Sequence, residues 1–331
     1  MKDNLMFSLQ DVQDARNRIA TYIRQTPIER NQTLSQELGT NVYLKYELFQ
    51  KTGSFKPRGA FNQVLQLTQA QKDRGVVAVS GGNFAQGAAY AGQVLGVRTL
   101  ICMPVFTPNN YIEATKLYGA QVELAPSIPE AFDLARSYQQ QGMASLHAWD
   151  HPNMMAGNGT LGLELLEDLP EMTDIFISIG GGGLIAGMML AIKSIKPEVR
   201  IWGVETEGSD TMGQALRAGR VVQIKPTSLA KTLSAPYVAE DALILAQKYL
   251  EQHILVSDRE AFLAELFLLE RAKVLTELAA SCTLAAARRL AGVFTEKDHV
   301  VLLLCGGNAS FDSLLDYRRQ LGDPPIESSN P

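Results

Sequence analysis

Four consecutive glycines, Gly180 to Gly183, interrupt an uncharged apolar stretch running from Ile175 to Ile192. The stretch reaches the roughly 18-residue length of a membrane-spanning candidate. Each glycine, however, costs about 1 kcal/mol in a helix interior, so four in a row rule out one continuous helix. Ile175-Phe176-Ile177-Ser178-Ile179 favours a strand, because β-branched and aromatic side chains pack well on a pleated surface. Leu184 to Lys193 reads as a helix. The stretch is therefore expected to be a buried strand, a glycine loop and a helix, which is one step of a parallel α/β fold.

The same alternation recurs along the chain. Strands are expected at 42–44, 76–79, 99–103, 121–124, 175–179, 201–204 and 300–304. Helical patterns fall between them at 83–95, 111–118, 129–140 and 184–193. Uninterrupted apolar runs such as Val300-Val301-Leu302-Leu303-Leu304 suit a sheet covered on both faces. With 331 residues and 46% hydrophobic content, the chain has material for two lobes sharing a cleft. The tail from Gly322 to Pro331 is rich in Pro, Ser and Asn and is expected to be loosely ordered.

Charge and cysteine content narrow the function. A net charge of −5 offers nucleic acid no broad attraction. The basic pairs Arg288-Arg289 and Arg318-Arg319 lie in helical patterns and are expected to be solvated faces. Cys102, Cys282 and Cys305 form neither a disulfide framework nor a zinc motif. They fit a reducing, cytoplasmic compartment. The four histidines make no metal-ligand pattern, so no metal site is expected. Met1 to Arg16 has no apolar signal core.

Four local patterns carry chemistry. In Ser54-Phe55-Lys56-Pro57-Arg58-Gly59-Ala60 a lysine opens a helical stretch, with Pro57 suited to a first helical turn. A lysine is ordinarily a solvated surface residue. Desolvated beside Phe55, it would act as an amine. Ser80-Gly81-Gly82-Asn83-Phe84-Ala85-Gln86-Gly87 links a strand to a helix. It is either an ordinary turn or an anion site built from free N–H groups, with Ser80 and Asn83 as added donors for a carboxylate. Gly180 to Gly183 lets the backbone approach and wrap a phosphate. Cys305-Gly306-Gly307-Asn308 follows the last strong strand, where α/β sheets bind ligands, and equally fits a structural turn with a buried cysteine. Gly181-x-Gly183-x-x-Ala186, with Glu205 about 20 residues on, also matches a dinucleotide fingerprint. A nicotinamide dehydrogenase would leave Lys56 and Asn83 unexplained.

Taken together, these patterns resemble the fold-type II pyridoxal-phosphate enzymes, in particular the serine/threonine dehydratase (threonine ammonia-lyase) and serine racemase branch. The resemblance spans Asp11 to Asp312. It rests on Lys51 to Ala60, Ser80 to Gly87, Gly157-Asn158-Gly159-Thr160-Leu161-Gly162-Leu163-Glu164, the glycine loop, Gly203-Val204-Glu205 and Cys305 to Asn308. It implies a tryptophan synthase β-like fold of two lobes, each with a mainly parallel sheet flanked by helices. Residues 1–68 and 150–331 would form the large cofactor-binding lobe, and 69–149 the small lobe carrying the asparagine loop. The cofactor implied is pyridoxal 5'-phosphate, held by Lys56 as a Schiff base. Phe55 would pack beside its ring, and Asn83 would bond its phenolic oxygen. Gly180, Gly181, Gly182, Gly183 and the Leu184 amide would cradle its phosphate, and Cys305 would face its pyridine nitrogen. Ser80, Gly81, Gly82, Asn83 and Phe84 would hold the substrate. The family is often dimeric, so a homodimer acting on a small amino acid is expected.

The activity implied is β-elimination from a 3-hydroxy amino acid, releasing a 2-oxo acid and ammonia. Lys56 would take the Cα proton. A serine-type racemase is the alternative, but racemases carry a second serine where Gly81 stands, and glycine has no side chain to act on the other face of Cα. A cofactor-binding protein without turnover is a further alternative, raised by unusual pocket residues. Phe84 replaces the usual His, Lys231-Thr232 the usual Asp-Gly, Ala280 a Gly and Asn158 a Gln. These departures point to a substituted 3-hydroxy amino acid as substrate. Some relatives bind a divalent cation through a Glu and an Asp six residues later. Here Glu205 is followed at that spacing by Thr211, with Asp210 one place short, so no cation is expected there. A regulatory C-terminal domain is not expected either.

Overall fold

The computed structural model describes residues 5–322; the expected loose tail lies almost entirely outside them. Ten strands form two sheets. In chain order they are β1 (Ile28–Arg30), β2 (Asn41–Lys45), β3 (Val76–Val79), β4 (Thr99–Pro104), β5 (Gln121–Ala125), β6 (Ala144–Ser145), β7 (Asp174–Ser178), β8 (Arg200–Thr206), β9 (Leu250–Val256) and β10 (His299–Leu303). The larger sheet has the order β1-β2-β10-β7-β8-β9, and the smaller β5-β4-β3-β6. Every pairing is parallel except that of β1 with β2. This is the mixed α/β architecture expected from the alternation of strands and helices.

Side chains on a strand alternate between faces, and the central strands of the larger sheet are apolar on both. Ile175, Ile177, Val301 and Leu303 pack on one side with Met188, Met189 and Leu161. Phe176, Val300 and Leu302 pack on the other with Phe262, Cys282 and Ala286. Each fully buried Val, Leu, Ile or Phe contributes about 1.5–3 kcal/mol, so these strands specify a two-faced core and the helices that cover it. The smaller sheet repeats the pattern. Val76, Ala78 and Ile101 face Phe61, Phe84 and Ala88, whereas Val77, Leu100 and Cys102 face Ala131 and Ala135.

The stretch 175–192 is divided as expected between β7 and the helix Gly183–Ile195. No helix among the described residues is long and apolar enough to cross a membrane. All three cysteines are free and buried. Arg288 and Arg289 lie on a solvent-facing part of their helix, as expected, and form surface ion pairs with Glu37 and Glu260, each at 2.6 Å. β1, β6 and β9 were not evident in the sequence. β1 and β6 are too short to show a period, and β9 carries Glu251, Gln252 and His253 at a sheet edge.

Candidate active site

Lys56 opens the helix Lys56–Leu65, and Pro57 occupies its first turn. The preceding segment is stitched to the loop after β10. Phe55 N donates to Cys305 O at 3.1 Å, Gly307 N donates to Gly53 O at 2.9 Å, and Ser54 forms a bridge with Gly306. The chain reaches this position through left-handed backbone at Thr52 (φ 62°) and Gly53 (φ 70°). Lys56 Nζ donates to Ala148 O at 2.8 Å. It lies 4.9 Å from the Phe55 ring centre and 5.8 Å from that of Phe84. Burial lowers its pKa to about 8, against the opposing pull of Cys305 and Glu277. The amine is therefore available near neutral pH, which nucleophilic and base chemistry needs.

Asn83 starts the helix Asn83–Leu95 after β3, with Ser80, Gly81 and Gly82 forming the turn. Its Nδ2 donates to both oxygens of Glu277, at 2.9 and 3.0 Å. Its Oδ1 accepts from Asn308 Nδ2 at 2.7 Å. Glu277 also accepts from Thr232 Oγ1 at 2.6 Å and from Asn308 N at 2.9 Å. Burial raises the Glu277 pKa, and these donors oppose the rise. Asn83, which follows a strand of the smaller sheet, thus meets a carboxylate at the start of the helix Leu278–Arg289, which packs on the larger sheet. Gly306 fits beneath this node because a Cβ there would stand 2.9 Å from Glu277 Oε1. Phe84 is 2% exposed and packs in the core beside the smaller sheet, with its ring facing Lys56 Nζ.

The glycine loop follows β7. A Cβ on Gly181 would stand 2.2 Å from Trp149 Cγ, and one on Gly182 2.5 Å from Ala242 Cβ. Gly182 also has φ +86°, a conformation that disfavours any side chain. Ala239 N holds the loop through Gly181 O at 3.0 Å, and Asn158 Nδ2 holds it through Gly183 O at 3.2 Å. Leu184, next in the helix, is buried. The loop is closed against Trp149 and presents N–H groups at a helix N-terminus, where anions are stabilised.

Cys305 lies at the end of β10, its Sγ 3.4 Å from Ser178 Oγ. Burial pushes its pKa up to about 12, against the bond from Ser178, so it is a neutral thiol at physiological pH. Glu205 is fully buried. Its oxygens accept from Met212 N (2.8 Å), Gly213 N (2.9 Å) and the His253 ring (2.7 Å). An imidazole and two amides occupy the carboxylate where a cation would bind. Among the described residues no group of three or more His, Cys, Asp or Glu gathers to hold a metal.

Sequence reasoning missed Trp149 and Glu277, and gave Thr232 and Asn308 no role. One usable signal was that Trp149 is one of only two tryptophans and lies three residues before the helix Pro152–Asp168. The four departures all fall on supporting positions. Phe84 and Ala280 are core residues, Asn158 and Thr232 bond the loops, and Lys231 Nζ caps Ser228 O at 2.8 Å.

The site fits pyridoxal phosphate in every part. It has a desolvated lysine, a loop with no room for a Cβ and a neutral thiol at a strand end. The buried indole N–H of Trp149 beside the glycine loop also lacks a partner.

Comparison with known proteins agrees. The chain is 39% identical over 307 residues to L-threonine ammonia-lyase of Thermotoga maritima, covering 92% of this chain and 76% of that protein. It is 36% identical over 310 residues to L-threonine dehydratase catabolic TdcB of Staphylococcus aureus, covering 91% and 89%. A solved threonine deaminase from T.th. superposes with a TM-score of 0.86 at 36% identity, over 92% and 99% of the two chains. Maize serine racemase superposes with a TM-score of 0.89 at 29% identity, over 96% and 98%. These neighbours share the expected fold-type II architecture, and the dinucleotide alternative falls away. The family model for the pyridoxal-phosphate dependent enzymes matches residues 19–306, and the chain belongs to that family.

Proposed function

We propose that the protein catalyses β-elimination of a 3-hydroxy amino acid of the threonine/serine class, releasing a 2-oxo acid and ammonia. The observation that carries this reading is the Lys56 amine, lowered to about 8 by burial, between a glycine loop and a neutral thiol. Pyridoxal phosphate, when bound, supplies an electron sink beside the substrate's Cα. Gly180 to Gly183 and Leu184 N would hold its phosphate, Phe55 its ring face, Asn83 its phenolic oxygen and Cys305 its ring nitrogen. A thiol kept neutral does not keep that nitrogen protonated. The sink is then moderate, which suits expulsion of a β-hydroxyl over a long-lived carbanion.

The chain's own steps are few. Ser80, Gly81, Gly82 and Asn83 orient the substrate carboxylate at a helix N-terminus. Lys56 Nζ takes the Cα proton and gives it to the β-hydroxyl as the Cβ–O bond breaks, so that the hydroxyl leaves as water and the amine is neutral again. Glu277 and Asn308 hold the Asn83 amide, and Thr232 holds Glu277. Gly81 offers no acid or base on the opposite face of Cα, which favours elimination over racemization. The departures lie on supporting positions, so threonine and serine stand beside substituted analogues as candidates. The molecule is further read as a cytoplasmic homodimer, in keeping with three buried thiols; sedimentation as a 36.2 kDa species would refute the dimer.

The test is the visible spectrum of the purified protein and of Lys56→Ala, with and without a panel of 3-hydroxy amino acids. The parent should show a cofactor band that Lys56→Ala loses or alters, and one amino acid should shift it and release a 2-oxo acid. A protein that stays colourless with added pyridoxal phosphate, or binds it and turns over nothing, would overturn the proposal. Inverted but uneliminated substrate would instead establish the racemase.

A further inference from the structure

β3 and β4 are neighbouring parallel strands, with Val79 paired to Cys102. Their C-terminal loops therefore emerge side by side. The first is the Ser80–Gly82 turn, tied down by Ser80 N donating to Cys102 O at 3.3 Å. It leads into the thirteen-residue helix Asn83–Leu95, whose N-terminus has no side-chain cap. The second loop brings Thr107 against the first. Thr107 is 6% exposed, and its Oγ1 has no hydrogen-bond partner. A Cβ on Gly81 would come within 2.7 Å of that oxygen. The hydroxyl thus occupies the ground beside the turn that a side chain at 81 would need.

An unpartnered buried hydroxyl costs about 1–3 kcal/mol, and valine would fill the same volume without that cost. The oxygen stands against an uncapped helix N-terminus whose amides already favour an anion. A donor placed there has one useful acceptor, a negative oxygen on the turn. We propose that Thr107 Oγ1 donates to the substrate carboxylate at the Ser80–Asn83 turn. Gly81 is the residue that makes room for it, so the hydroxyl reaches the substrate from the neighbouring strand's loop rather than from the turn itself. This inference rests on the proposed amino-acid lyase activity.

The probes are glycine and glycine methyl ester, added to the holoenzyme and followed by the shift of the cofactor band. Neither has a β-leaving group, so both report binding without turnover, and only glycine has a free carboxylate. Thr107→Val should bind glycine about 10-fold more weakly than the parent, the loss of one hydrogen bond to a charged group. It should bind the ester as the parent does, and Thr107→Ser should restore glycine binding. Should Thr107→Val lose the band itself, Thr107→Ala carries the same comparison. Unchanged glycine affinity, equal weakening of glycine and ester, or a Thr107→Ser variant as weak as Thr107→Val would overturn the role of Thr107. A parent that binds cofactor yet responds to neither probe would overturn the lyase reading as well.

Discussion

Replacing Arg58 with methionine removes the cation at the centre of a buried charge network under the lysine-bearing helix. Arg58 is fully buried. Its Nε and Nη2 donate to the two oxygens of Glu47, each at 2.8 Å, and Nη2 also donates to Glu164 at 2.7 Å. Burial alone would raise the Glu164 pKa, but Arg58 and Lys45 outweigh it and hold that carboxyl below its ordinary range. After Arg58→Met, Glu164 keeps Lys45 Nζ at 2.6 Å and Thr26 N at 3.0 Å. Glu47 keeps only the Thr26 hydroxyl at 2.6 Å, so the damage concentrates on one fully buried carboxylate.

Breaking a buried ion pair by removing one partner costs about 3–5 kcal/mol. With an unfolding entropy of about 2.1 cal/mol/K per residue, 331 residues give about 0.7 kcal/mol/K, and the midpoint should fall by about 4–7 °C. Removing the stranded charge as well, in Arg58→Met/Glu47→Leu, should recover at least half of the loss, since two apolar groups can replace a buried pair nearly neutrally. Thermal unfolding of the cofactor-free parent, the single variant and the double variant measures both effects. A single variant that melts with the parent, or a double variant no more stable than the single, would refute the assignment of the cost to an unpaired Glu47.

Two further outcomes follow from the site. Because the Lys56 pKa is lowered from 10.5 to about 8, the unprotonated fraction rises with pH through about 8. The rate at which cofactor-free protein takes up pyridoxal phosphate should climb through that range in stopped-flow absorbance and level off above it, and a climb continuing to about 10.5 would contradict the desolvated amine. Gly181→Ala would place a Cβ 2.2 Å from Trp149 Cγ, so the loop or the indole must move; fluorimetric titration should show cofactor affinity weakened by about 10-fold or more, the effect of a kilocalorie-scale strain, and an unchanged affinity would show that the loop tolerates the displacement.

Much of this site is legible in the sequence because its loops are written locally. An apolar strand, a run of glycines and a helical pattern together mark Gly180 to Gly183, and the same grammar marks Ser80 to Asn83. Asn83, the glycine loop and Cys305 follow β3, β7 and β10 respectively, each near the C-terminal end of a strand in one of two mainly parallel sheets, where α/β folds place ligands, and the segment carrying Lys56 is stitched to the same place through Cys305. Local grammar does not, however, say which way a side chain in the first helical turn points. Phe84 reads as a substrate neighbour, and the structure buries it to 2% exposure with its ring 5.8 Å from Lys56 Nζ. Thr107 reads as nothing at all, because its meaning lies in a contact with Gly81 on the adjacent strand's loop.

Glu277 shows why the remainder was hidden. It does not follow a strand but precedes the helix Leu278–Arg289, and it meets Asn83 across 194 positions of sequence. Asp, Asn, Ser and Thr at a helix start ordinarily cap their own helix, whereas the longer Glu only places favourable charge there. Glu277 makes no such cap and turns instead to Asn83, Thr232 and the Asn308 amide. Its bonds go to groups remote in sequence, and they include Asn83, the residue expected to face the cofactor. The position therefore gains its character from partners remote in sequence, and a helix-start pattern could have assigned it nothing but a favourable charge at a helix N-terminus.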